Sequence, residues 1–280
     1  MRKTVSIFLT ALFFCLSAQA TLPFEQLLYK GRAVPFYNDS SNPEQQKYID
    51  IIKGTQLAER MSSLVTGSLM LKGDIGVNFE SCSQINAFFS PQRRAIVICS
   101  EFVEMMAKTA HDDKDFMMKL PREQFAKVID GLIWGIFFHE LAHAVIYTNK
   151  VPVTGREEDV ADQFAVWYAV NFVDLAQHPI VMPTIWFWSR LAKERDIPAM
   201  TEQQRQSFMS NEHSLDEQRI YNIACWVLGT GTAAGAKTAQ FAGLPNERSQ
   251  RCPSEYAQVD MGMKSHFKKY FKATPLRGSW

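Results

Sequence analysis

Apolar and polar positions follow two different periods along this chain, and the change between them divides it. Residues 21–41 hold no sustained period, with Pro23, Gly31, Pro35 and the Asn38-Asp39-Ser40-Ser41 cluster, and read as irregular. Asn42-Pro43-Glu44-Gln45 then offers an N-cap, a proline at the first helical position and a glutamine placed for a capping box. A helix over residues 42–64 follows, with Ile49, Ile52 and Met61 on its apolar side. Gly67 ends that pattern. Residues 68–72, 75–79 and 94–99 have the short apolar or alternating character of strands, the first two joined at Gly73-Asp74 and the third reached through a loop over residues 86–93. From Ser100 onward the period is helical. Pro121 opens a long helix through Phe125, Ile129, Ile133 and Ile136 to about Tyr147, and its second half is apolar on every side, which predicts burial. Residues 156–176, 183–193, 215–228 and 253–271 repeat the helical pattern between Pro and Gly joints. The expected architecture is α+β: a small sheet packed on a mostly helical body, forming one domain over residues 21–280.

The first twenty residues stand apart from that domain. Arg2 and Lys3 precede an apolar run over residues 5–16, and Ala18-Gln19-Ala20 places small residues where a signal peptidase cuts. The run is shorter than the roughly 20 residues of a membrane span. Cys15 follows Phe13 and Phe14 rather than the small residues of a lipoprotein site, so release into the periplasm or medium is expected, without a membrane anchor. The 30 basic and 29 acidic residues give a formal charge of +1. Loss of Arg2 and Lys3 leaves 28 against 29, or −1 for residues 21–280. No broad field attracts nucleic acid or an anionic membrane, so any activity belongs to a local site. Export also suits the cysteines. Cys82, Cys99, Cys225 and Cys252 remain after cleavage, an even number with three possible pairings, of which proximity favours Cys82 with Cys99 and Cys225 with Cys252. A four-thiolate zinc site is the rival use, but no C-x-x-C pair begins one.

The chemistry lies in the long helix, where His139-Glu140-Leu141-Ala142-His143 spells H-E-x-x-H. Residues four apart share a helical face, so both imidazoles can reach one metal ion while Glu140 points toward a metal-bound water. Phe137, Phe138, Leu141 and Val145 make an apolar setting in which unpaired His or Glu would be costly. A catalytic zinc needs a third protein ligand and one open position. The segment Gly155-Arg156-Glu157-Glu158-Asp159-Val160-Ala161-Asp162 follows a loop that lets the chain turn back. In an antiparallel helix Glu158 comes level with His143 and Asp162 with His139, each step of four covering ~6 Å. That register proposes Glu158 as third ligand and Asp162 as the carboxylate accepting from the distal nitrogen of His139. Glu157 and Asp159 are expected to point elsewhere, as favourable charge at a helix start. One zinc ion per chain is expected.

H-E-x-x-H followed by E-x-x-A-D over residues 158–162 resembles the gluzincin arrangement of zinc metallopeptidases. A closer resemblance is to a secreted bacterial metallopeptidase family long catalogued as a domain of unknown function. It is carried by Cys82 with Asn86-Ala87-Phe88-Phe89 and Cys99, H-E-L-A-H, G-R-E-E-D-V-A-D-Q-F-A, Asp216-Glu217-Gln218-Arg219, Cys225-Trp226, and residues 244–253, together spanning most of 68–260. The resemblance implies a zincin-like, zinc-dependent peptidase fold. In that chemistry Glu140 takes a proton from the zinc-bound water and returns it to the leaving amine, acting on a peptide or protein substrate. A further donor serves the oxyanion; His213 is the first candidate, Arg219 the second and Tyr147 the third. Peptides bound by zincins often add to a sheet edge, for which residues 94–99 are the expected strand. His111, His178 and His266 are expected to be incidental to the site. A non-catalytic, zinc-stabilised binding or chaperone-like module is the alternative.

Overall fold

A computed structural model describes residues 31–175, 178–195 and 197–272. The signal segment at residues 1–20 lies outside the described residues. The fold is α+β, mostly helical with one four-stranded mixed sheet.

The sheet departs from the sequence expectation in four places. First, the irregular stretch contains strand β1, Ala33–Tyr37. It lies at one edge of the sheet, where Pro35 does not interrupt a central ladder. Second, the helix over residues 42–64 is two helices, α1 Pro43–Gly54 and α2 Leu57–Ser68, parted by Gln56 in the left-handed region (φ 53°). The Asn42 side chain does cap α1 by accepting from the Glu44 N–H at 3.0 Å. Gln45 makes no capping box and instead donates to Glu104 at 2.6 Å. Third, residues 68–72 form no strand: α2 runs through Ser68, and Leu69 makes only an isolated bridge to Phe271. Gly73-Asp74 is therefore not a hairpin turn. Strand β2, Ile75–Glu80, pairs in parallel with β1, and α1 and α2 form the crossover that parallel pairing requires. Fourth, the loop over residues 86–93 contains strand β3, Ala87–Ser90, antiparallel to β4, Ala95–Cys99. The order is β1-β2-β4-β3, so β4 is interior and fully buried, and β3 is the edge. The expectation that residues 94–99 offer a free edge is thus corrected.

The remaining chain is helical: α3 Ser100–Asp112, α4 Arg122–Asn149, α5 Glu157–Phe172, α6 Val181–Glu194, α7 Glu202–Met209, α8 Asp216–Gly229, α9 Ala233–Phe241, α10 Asn246–Ser249 and α11 Cys252–His266. Every residue of α4 from Gly131 to Ile146 is buried except His143. That explains a composition apolar enough for a membrane span: β3, β4, α5 and α6 cover this helix on different sides. Contact with α6 is very close. A Cβ at Gly131 would lie 1.8 Å from the Pro179 carbonyl oxygen, and one at Gly135 would lie 2.3 Å from Thr184 Oγ1. Disulfides join Cys82 to Cys99, clamping the ends of β2 and β4, and Cys225 to Cys252, tying α8 to α11. Such bonds fit an oxidising, extracellular location.

Candidate metal centre

The buried half of α4 brings His139 and His143 onto one face, with ring centroids 5.0 Å apart and Nε2 atoms 3.3 Å apart. After α4 ends at Lys150, a left-handed residue (φ 52°), the chain reverses and α5 packs antiparallel against it. Asp162 meets His139 Nδ1 at 2.8 Å. Glu158 falls between the two rings, with Oε2 2.9 Å from His139 Nε2 and Oε1 3.4 Å from His143 Nε2. These are the positions that the antiparallel register predicts for both side chains.

Glu157 does not point elsewhere. Its Oε1 lies 2.7 Å from His143 Nδ1, the same relation that Asp162 has to His139. Sequence reasoning missed this contact because an acidic first turn is already explained by the helix dipole. Asp159 has a different use: it accepts from Ser214 Oγ at 2.6 Å, and Ser214 accepts from Arg156 at 2.7 Å. That chain fastens the loop before α8 to the start of α5.

Glu140 is buried beside His139, and its Oε2 accepts from the Phe89 backbone N–H at 2.9 Å. The β3–β4 register accounts for that bond. Cys99 N–H donates to the Asn86 carbonyl, so Asn86, Phe88 and Ser90 face β4 while the backbone groups of Ala87 and Phe89 point to the free edge. Burial raises the Glu140 carboxyl above its ordinary range.

His213, far away in sequence, arrives from the α7–α8 loop. Its Nε2 lies 2.8 Å from Glu158 Oε2, and its ring stacks on His139 with centroids 5.8 Å apart. Arg219 in α8 is buried with its guanidinium fork on Asp162, at 2.8 Å from Nε and 2.7 Å from Nη2, over the Trp188 ring. Tyr147 is exposed and rests against Phe89. His111, His178 and His266 are not among the donors that gather here. A cavity of about 360 Å³ opens beside the cluster, between Ala87 of β3 and an apolar wall of Phe102, Met105, Ile136 and Trp188.

The donor set fits a metal ion. Both Nδ1 atoms face carboxylates that accept their protons, so each neutral ring turns its Nε2 lone pair inward. Two such lone pairs and the Glu158 carboxylate then crowd one point, an arrangement that requires positive charge among them. In the protein alone, protons supply it. Burial opposes charge on His139, but hydrogen bonds to Asp162 and Glu158 outweigh it and push the pKa up to about 10. His143 is raised for the same reason, burial being overcome chiefly by Glu158. Burial likewise opposes ionisation of Glu158 and Asp162. Hydrogen bonds from His139, His143 and His213 hold Glu158 far below the carboxylate range, and the Arg219 charge with the His139 bond does so for Asp162.

Fold and site together define a class: an α+β protein with a histidine–carboxylate cluster at the side of a cleft. The chain belongs to the family described as "putative metallopeptidase", whose model matches residues 37–264. No curated protein and no solved structure matches it.

Proposed function

We propose that the protein is an exported zinc-dependent peptidase that hydrolyses peptide bonds with Glu140 as general base. One observation supports this reading above the others. Two imidazoles and a carboxylate converge beside a buried glutamate, and two of these side chains, His139 and Glu140, line a cleft bordered by a free strand edge. His139, His143 and Glu158 would hold one zinc ion, with Asp162 and Glu157 orienting the two rings. When bound, zinc polarises the scissile carbonyl and lowers the pKa of its water toward ~7.

The remaining steps fall to the chain's own residues. Glu140 accepts the proton of the attacking water and passes it to the amine nitrogen as the C–N bond breaks. Its raised pKa suits a group that must both take and give that proton. The Phe89 N–H fixes one carboxylate oxygen, leaving the other for this exchange. His213 presents Nε2 to the centre and is the donor assigned to the oxyanion. Arg219, whose fork is engaged by Asp162, acts through His139 as a positioning residue. A peptide would add to β3 through the outward groups of Ala87 and the Phe89 carbonyl, its side chain entering the apolar cavity.

Zinc-loaded wild type and Glu140→Gln, incubated with a periplasmic proteome, test the mechanism. New N-termini read by mass spectrometry should appear with wild type alone, while both proteins retain one zinc. Equal cleavage by both removes Glu140 from the mechanism. Absence of zinc in wild type, or its retention by His139→Ala, overturns the metal site.

A further inference from the structure

The loop between α7 and α8 brings a second group of donors to the same carboxylate. We propose that Glu158, Glu212 and His213 form a second, weaker divalent-cation site, sharing Glu158 with the first, through which excess zinc inhibits the enzyme. The inference rests on the reading of Glu158 as a ligand of the first ion.

One donor atom from each of the three residues lies within 4.8 Å of the other two. The Asn211 side chain decides how His213 takes part. Its Oδ1 accepts the His213 backbone N–H at 2.8 Å, which identifies that atom as oxygen, and lies 3.0 Å from His213 Nδ1. Nδ1 therefore carries a proton, and Nε2, 2.8 Å from Glu158 Oε2, is the ring atom left to meet a metal ion. A proton on Nε2 bridges that gap in the metal-free protein, as protons do at the first site, and a divalent cation can replace it. Glu212 can complete such a set: its carboxylate is exposed and makes no hydrogen bond or ion pair among the described residues. Glu158 can serve both ions because its oxygens diverge, Oε1 toward His143 and Oε2 toward His139 and His213. Imidazole with two carboxylates suits zinc. Exposure sets the order of filling: the His213 side chain is 40% exposed against 7% for His139, so water competes more strongly at the second site. A second ion engages His213 Nε2 and removes it as donor to the oxyanion.

Equilibrium dialysis of the processed full-length protein against zinc, with metal analysis, should give two equivalents. The second should bind at least about tenfold more weakly than the first. In Glu212→Gln the first equivalent should remain, and the second should weaken by a further factor of about ten or more. With cobalt(II) instead of zinc, the second equivalent should alter the electron paramagnetic resonance of the first through the shared carboxylate. The zinc concentration that halves peptide cleavage should rise about tenfold or more in Glu212→Gln. Saturation of wild type at one equivalent, or an unchanged second equivalent in Glu212→Gln, overturns this proposal and leaves the first site standing. Loss of both equivalents in Glu212→Gln also overturns it, because Glu212 would then belong to the first site. A wild type that binds no metal overturns the metal-centre reading itself.

Discussion

Arg219→Met isolates the buried charge pair behind the centre. The substitution keeps an apolar stem over Trp188 and removes both hydrogen bonds to Asp162, a carboxylate with a 10% exposed side chain. Removing one partner of a buried pair leaves the other charge uncompensated and costs about 3–5 kcal/mol. Here the loss falls at the lower end. In the metal-free protein His139 also contacts Asp162 and stays protonated up to a pKa of about 10, so part of the compensation survives. The expected loss is about 3 kcal/mol in chelator, read from urea unfolding at neutral pH with an unchanged slope. Asp162→Asn, which strands the guanidinium instead, should cost a similar amount. The double variant should then fall short of the summed losses by at least about 1 kcal/mol, since neither charge remains unpaired. Zinc affinity supplies a second readout, because a loosened Asp162 no longer orients His139; a drop of about 10–100-fold is expected in Arg219→Met. Single losses that add to within about 0.5 kcal/mol would refute the coupling, and unchanged zinc affinity would refute the positioning role.

Three further outcomes follow from the packing. Gly131→Ala would ordinarily stabilise a helix by about 1 kcal/mol, but the Pro179 carbonyl occupies the space; thermal unfolding should show a net loss of about 1–3 kcal/mol. Glu80 is raised by burial, yet hydrogen bonds from Arg93, Asn38 and Asn78 hold it below its ordinary value. A depressed folded pKa contributes stability above the unfolded carboxylate value of about 4, and that contribution disappears as pH falls through the folded pKa; Arg93→Gln should lose about 2 kcal/mol near neutrality and flatten the acid limb of unfolding midpoint against pH. Replacing both Cys225 and Cys252 by alanine opens a loop of sequence separation 27 and should cost about 3–4 kcal/mol in urea unfolding.

Helices were far more legible in this sequence than strands, for reasons visible in particular residues. The α4 pattern runs over many turns, whereas β3 has four residues and β1 has five with a proline at its centre. Periodicity also says nothing about partners. Gly73-Asp74 has the composition of a hairpin turn, but Ile75 pairs with Ala33, 42 residues upstream, because α1 and α2 intervene as a crossover. The break between those helices was equally hidden: Gln56 adopts a left-handed conformation without being a glycine, and the apolar stripe resumes at Leu57 in a new direction.

At the site, what could be read was what a rigid helix transmits. Two histidines four apart fix a face, and a second helix returning after a short loop must present residues at the same spacing in reverse order; Glu158 and Asp162 meet that condition. His213 and Arg219 meet no such condition, since α6 and α7 intervene and only the folded chain sets their approach. Glu157 shows a subtler limit. Its charge is favourable at the start of α5 whatever else it does, so the dipole explanation was sufficient without being complete. Three consecutive acids there have three different partners: Glu157 the outer nitrogen of His143, Glu158 the inner nitrogens of three histidines, and Asp159 the serine that fastens the His213 loop. A helix start supplies the positive end that permits such a run of carboxylates, and successive residues then fan out at about 100° to reach different sides of one centre. Replacing any one of the three should therefore fail differently. Loss of Glu157 frees a ring to rotate, loss of Glu158 removes the shared carboxylate, and loss of Asp159 releases the loop that carries His213.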